Sequence, residues 1–223
     1  MLLKTDVNYK NKMLNMITVR YALFAFMLMM LNTSNVWAIP STPYFFKEQS
    51  IIGDTTGVDQ FWQQLKQHCG KTYEGTVTSG ATANDGFSGK RLVMHVLSCS
   101  EDQLLIPFNV GENRSRTWIL TKMKDRIELK HDHRHEDGKS DAVTMYGGTT
   151  TNSGLPGIAV FPADQMTANT IPAAATNVWW ITINNTTFTY NLRRIGSDRL
   201  FTVTFDITKP IDKPMPSWGW EKF

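Results

Sequence analysis

Three of the five histidines in the chain fall at every second position of one short stretch, "LKHDHRHEDG", residues 129–138. In an extended strand over 126–135 side chains alternate between faces. His131, His133 and His135 then share a face with Ile127 and Leu129, while Glu128, Lys130, Asp132 and Arg134 share the other. The face that begins apolar is expected to point inward, carrying the imidazoles from an interior toward its mouth. Residues i and i+2 lie about 6 to 7 Å apart, so His131 and His133 can converge on one zinc or copper ion. The first and third histidines are about 13 Å apart by the same rise, too far to share it without a kink. A third ligand would come from a neighbouring strand, where Asp141 and Tyr146 are on offer. Two other roles fit the same residues: polar contacts to a bound small molecule, or a solvated strand end paired with Asp137 or Asp141.

The preceding strand, in "GENRSRTWIL", carries Arg114, Arg116 and Trp118 on one face. Paired antiparallel around a turn near Asp125, it sets Trp118 opposite Lys130 to Asp132 and Arg116 opposite Asp132 to Arg134. The parity of that turn is open. Inside, the arginines would face His133 and could fork onto a carboxylate or phosphate. Outside, they would make screened ion pairs worth little, and this outer arrangement is the preferred one. The glycine-rich "YGGTTTNSGLPG", residues 146–157, is either a loop gating a mouth or an ordinary connection. His95, in apolar "LVMHVLS", reads as a core histidine. Trp179 and Trp180 must point to opposite faces. Catalytic residues cannot be assigned: there is no G-x-S-x-G elbow, no H-E-x-x-H and no cysteine set as a nucleophile. "GKT" at 70–72 lacks the earlier glycine of a phosphate loop, since position 65 is Leu65.

These residues need elements to hold them. Asp59 can cap a short helix over 60–68 that buries Phe61, Trp62 and Leu65. From residue 71 onward one strand follows another: 71–78, 90–98, 103–110, 115–123, 126–135, 141–147, 177–183, 187–195 and 199–208. Turn-forming clusters such as "NDG", "EDGKSD" and "GSD" divide them. Only 162–175 carries an uncertain helical pattern between strands, so crossover units and a parallel sheet are not expected. The reading is an all-β, antiparallel up-and-down meander closing into a lipocalin-like barrel of about 9–10 strands, with a short N-terminal helix. A sandwich is the alternative. Cys69, just before the first strand, and Cys99, just after the second, are brought together by antiparallel pairing and are expected to form one disulfide.

The layout of residues 60–208, a helix leading into a glycine-containing first strand and a long meander, resembles the calycin group of lipocalin-like and fatty-acid-binding-like barrels. "CGKTYEG", "GKRLVMHVLSCS", "RSRTWIL", "LKHDHRHEDG" and "VTMYGGTT" are similar to an uncharacterised family of exported bacterial proteins. That second resemblance implies export and brings no mechanism.

Upstream, Lys4, Lys10, Lys12 and Arg20 precede the apolar run "YALFAFMLMML", residues 21–31, and "VWA" ends at Ala38. This is the order of a signal peptide over 1–38, cleaved after Ala38. The run's 11 residues fall short of the roughly 20 that span a bilayer, so no stable membrane anchor is expected after cleavage. Residues 39–56 read as an arm and 57–223 as a single barrel domain. The leader's four cations against Asp6 account for the whole chain's net +3, which leaves the remainder near neutral. With no basic face or aromatic-interleaved patch, nucleic acid is not an expected partner.

The resulting expectation is an exported, periplasmic or secreted, non-enzymatic barrel. It would bind a small, partly apolar ligand through His131, His133, His135, Arg116, Trp118 and Tyr146, with no cofactor. A metal-dependent enzyme or carrier using zinc or copper at His131 and His133 is the alternative. A structural or interaction module of the cell envelope is a third reading.

Overall fold

A computed structural model describes residues 55–82 and 85–223. The expected signal peptide over 1–38 and most of the expected arm, 39–54, lie outside the described residues. Helix α1 spans Gly57–Lys66 and its N-cap is Thr56. Asp59 sits one turn in and completes a capping box: Thr56 Oγ1 accepts from the Asp59 amide, while Asp59 Oδ2 accepts from the Thr56 amide. The helix therefore starts three residues earlier than the Asp59-capped helix expected over 60–68. Such a box supplies two otherwise unmet donors with partners, worth about 1 kcal/mol.

Eleven strands follow: β1 Thr72–Ser79, β2 Leu92–His95, β3 Ser98–Cys99, β4 Gln103–Val110, β5 Asn113–Lys122, β6 Ile127–His133, β7 Tyr146–Thr149, β8 Ile158–Pro162, β9 Asn177–Ile183, β10 Thr187–Arg194 and β11 Leu200–Asp206. Helix α2, Gln165–Thr170, and a 3-10 turn, Pro172–Ala174, lie between β8 and β9. All the strands belong to one antiparallel sheet, ordered β7-β6-β5-β4-β2-β1-β11-β10-β9-β8, with β3 paired to β4 beside that path. The first and last strands pair, Gly75 opposite Phe205, so the meander curls round into a nearly closed barrel. Its seam falls between β7 and β8.

The seam explains two glycines. A Cβ on Gly147 would fall 1.8 Å from the Leu129 carbonyl oxygen, and one on Gly148 would fall 1.7 Å from that of Pro162. Only glycine lets β7 lie this close to β6 on one side and to the end of β8 on the other. Ladder pairing across the seam is replaced by side-chain and loop bonds. The Asp164 amide and the Thr167 hydroxyl donate to the Gly147 carbonyl, and the Gly147 amide donates back to Thr167 Oγ1.

The inner face is apolar along most of its height. Leu104, Ile106, Phe108, Leu120, Ile127, Leu129, Ile181, Phe188, Val203 and Phe205 are all buried in one core. β9 and β11 alternate as an exposed-backed strand should. β4 does not, because residues 211–220 run across the outer wall. Asn109 Nδ2 donates to the Met215 carbonyl and Arg114 Nη1 to that of Pro216, while Trp220 Nε1 reaches Asp132 Oδ2.

One end of the barrel is shut by α1. Val58, Phe61, Trp62 and Leu65 enter the core, Trp62 Nε1 donates to the Glu101 carbonyl, and Lys122 pairs with Asp59 at 2.8 Å. Cys69 and Cys99 form a disulfide, Cα–Cα 6.1 Å, that ties the chain just after the helix to β3. Closing a loop of this size stabilises by about 3 to 4 kcal/mol in the chain-entropy picture. Among the described residues, no helix is long and apolar enough to cross a membrane.

The expected strand 90–98 is two strands, β2 and β3, and the expected 141–147 is β7, shifted toward 149. β8 was not expected as a strand. The short apolar run "IAVFP" starts two residues after Pro156 and ends on Pro162, which disguised it as a connection.

Candidate functional site

β6 runs from Ile127 at the closed end to His133 at the other, and its register against β5 sets the candidate site. Trp118 pairs with His131 and Arg116 with His133. Directly opposed residues on antiparallel strands project to the same side. Arg116 and Trp118 therefore face inward beside the histidines, which corrects the preferred outer arrangement of the arginine strand. The hairpin turn carries Met123 N–H to the Arg126 carbonyl, and this tight closure decides the parity.

At this open end the apolar interior gives way to a cavity of about 190 Å³. Phe87, Phe108, Trp118, Trp179 and Phe201 supply its aromatic wall, and Arg116, His131, His133, Tyr146 and Tyr190 supply polar atoms. Phe108, Trp118 and Tyr190 stack in sequence, with ring centroids 4.8 and 4.3 Å apart. His131 lies flat against Tyr146, centroids 4.6 Å apart. Arg116 holds its guanidinium over the Phe87 ring at 5.6 Å.

The two histidines differ in what they can still offer. His131 Nδ1 lies 3.0 Å from the Tyr146 carbonyl oxygen, which can only accept. The proton must then sit on Nδ1, leaving Nε2 to accept from the Tyr190 hydroxyl at 2.6 Å. Both nitrogens are committed. Burial lowers the His131 pKa to about 3, against the opposing effect of the carbonyl bond. His133 is half-buried, and its Nε2 bonds with the Tyr146 hydroxyl at 3.0 Å. Burial first, and then the Arg116 charge, lower its pKa to about 4. Both rings are neutral at neutral pH. Burial raises the Tyr146 phenol to about 12 and holds that of Tyr190 well above its ordinary value.

Local backbone helps to aim these groups. Met145, just before β7, has φ 56°, in the left-handed region that a long side chain seldom occupies. Its amide donates to the His131 carbonyl at 2.7 Å. The strained residue turns the chain so that the next carbonyl meets His131 Nδ1 and the next ring meets His133. Strain of this sort costs about 1–3 kcal/mol and gathers where geometry matters for function.

His131, His133, Arg116, Trp118 and Tyr146 thus come together around one cavity. His135 does not: β6 ends at His133, Arg134 bridges to Ser140, and His135 is exposed on the turn beyond. His131 has no nitrogen free for a metal, and among the described residues no group of three or more His, Cys, Asp or Glu side chains is placed to hold one. Asp141 is bonded to the amide of Val143. His95 is buried and its Nδ1 lies 2.9 Å from Thr72 Oγ1, but it alternates with the inward Leu92 and Met94 and stands outside the barrel's core. Trp179 points in and Trp180 out. The loop over 150–157 lies against α1 at the closed end, where Gln64 Nε2 donates to the Pro156 carbonyl, so it does not gate this cavity.

Sequence reasoning missed Tyr190, Arg194, Arg199, Phe87 and Phe201 as lining residues. The alternation in β10 could have flagged Tyr190 as inward, but nothing in the sequence ties it to His131, 59 positions away. Compared with known proteins, the chain matches no family model, no curated protein and no solved structure.

Proposed function

We propose that this protein is an exported, non-enzymatic container that holds a small, partly apolar ligand in the open end of its barrel. The observation that carries this reading is the cavity between Trp118 and Trp179. Aromatic walls and a few convergent polar groups fixed by their own hydrogen bonds are what small-molecule sites need. About 190 Å³ is below the roughly 300–1,000 Å³ of pockets for drug-sized molecules, which favours a compact occupant. The tyrosine–histidine pairs support binding over proton transfer, because both rings are neutral and both phenols are far from releasing a proton. Export rests on the signal-like leader, and the disulfide suits an oxidising compartment.

The test is native mass spectrometry of the protein isolated from the compartment to which it is exported. One small organic molecule per chain is expected, and it should be missing from Ala174→Trp, which fills the cavity wall from the 3-10 turn. A bare polypeptide mass in the wild type would count against a container.

A further inference from the structure

The cavity's charge is unbalanced. Among the described residues three guanidiniums, Arg116, Arg194 and Arg199, belong to its lining, and no carboxylate does. Elsewhere in the barrel cations find partners: Lys130 pairs with Asp164, Arg134 with Asp132 and Lys122 with Asp59. The three mouth arginines have no carboxylate within ion-pair distance among the described residues. Arg116 uses Nη1, toward Asn113 Oδ1 at 3.0 Å and Ser115 Oγ at 3.4 Å, and keeps Nε and Nη2 without a protein acceptor among the described residues. Arg194 uses Nε toward Asn177 Oδ1 at 2.9 Å and has no acceptor at either terminal nitrogen among the described residues. The histidines beside them are neutral and add no competing charge.

A partly buried guanidinium loses hydration that a neutral amide or hydroxyl only partly restores, and an oxyanion restores it with two parallel, charge-assisted bonds. The aromatic wall sets the surroundings of the rest: Phe108, Trp118 and Tyr190 cover one another's faces and, with Trp179, close an apolar surround on a compact body. Resting on the container reading above, we propose that the ligand is a small carboxylic acid with a compact apolar body, bound as its carboxylate by Arg116 with Arg194 and Arg199 at the mouth, and by that body against the aromatic wall. The cavity's volume suits one ring better than a long chain.

Titration of the tryptophan fluorescence with benzoate, benzamide and phenyl phosphate tests this, since Trp118 and Trp179 both line the cavity. Benzoate should bind more tightly than benzamide or phenyl phosphate. Arg116→Gln should weaken benzoate about 10- to 100-fold and leave benzamide unchanged, as expected for a charge-assisted hydrogen bond. Arg199→Gln, at an exposed position, should weaken benzoate by a smaller factor that shrinks in high salt. Equal binding of benzoate and benzamide, tighter phenyl phosphate, or benzoate binding unchanged in both variants would overturn the carboxylate assignment and leave the container reading standing. No response to any of the three at millimolar concentration would overturn both.

Discussion

The two ends of the barrel are built from opposite materials. At the closed end, α1 lowers Phe61, Trp62 and Leu65 into the core, the disulfide ties the chain just after the helix to β3, and Asp59 has a lysine beside it. At the open end, rings of similar size stand round a cavity, with arginines that have no carboxylate partner among the described residues and a methionine in a left-handed backbone. The first arrangement serves stability and the second gives some of it up. Polar groups committed to one another, as in His131 with Tyr190, keep the open end in shape without filling it.

The contrast is sharpest for large truncations. Trp62→Ala at the closed end should cost about 3–5 kcal/mol in urea unfolding, because it removes a fully buried indole and leaves a cavity. A loss under about 1 kcal/mol would mean that α1 is an accessory rather than the barrel's plug.

Acid should strike the open end first. The pKa values of His131 and His133 are depressed in the folded state, to about 3 and about 4, from an unfolded value near 6.5. The unfolded chain therefore binds more protons between these limits. Stability is full above about pH 6.5 and is lost as pH falls toward 4, at about 1.4 kcal/mol per pH unit for each neutral ring. A stability profile flat from pH 7 to 4.5 would show that these imidazoles are accessible to protons.

Tyr190→Phe should cost about 1–3 kcal/mol, because it strands His131 Nε2 without a donor in a buried place. The same variant should raise the His131 proton affinity only slightly, since burial is the larger cause, and an NMR titration of the ring would check this. The smallest effect is expected at Arg116. Arg116→Gln should change stability by less than about 1 kcal/mol in either direction, because no ion pair is lost. A large loss would make Arg116 structural and would bring the two ends closer in kind.

Much of the barrel could be read from alternation. β11, with Phe201, Val203 and Phe205 inward, and β6, with His131 and His133 on the face of Leu129, follow directly from period two. β8 escaped because five residues, the last of them a proline, carry too little pattern. The inward face of Arg116 escaped because it depends on one residue more or less in the turn at 123–126, which reverses every side chain of a strand. His135 was placed on the strand because its spacing continued the series, although the chain had already turned toward Gly138. Tyr190 and Arg194 on β10, and Arg199 in the turn before β11, reach the site from far along the chain through closure of the barrel, and closure leaves no local mark.

A crystal structure of the protein isolated natively from the cells that make it tests the central claim most directly. The account expects density for one small non-protein molecule among Arg116, Trp118 and His133, with the groove between α1 and residues 150–155 holding water alone. Water alone in the open end, or an organic ligand seated in that closed-end groove, would contradict it.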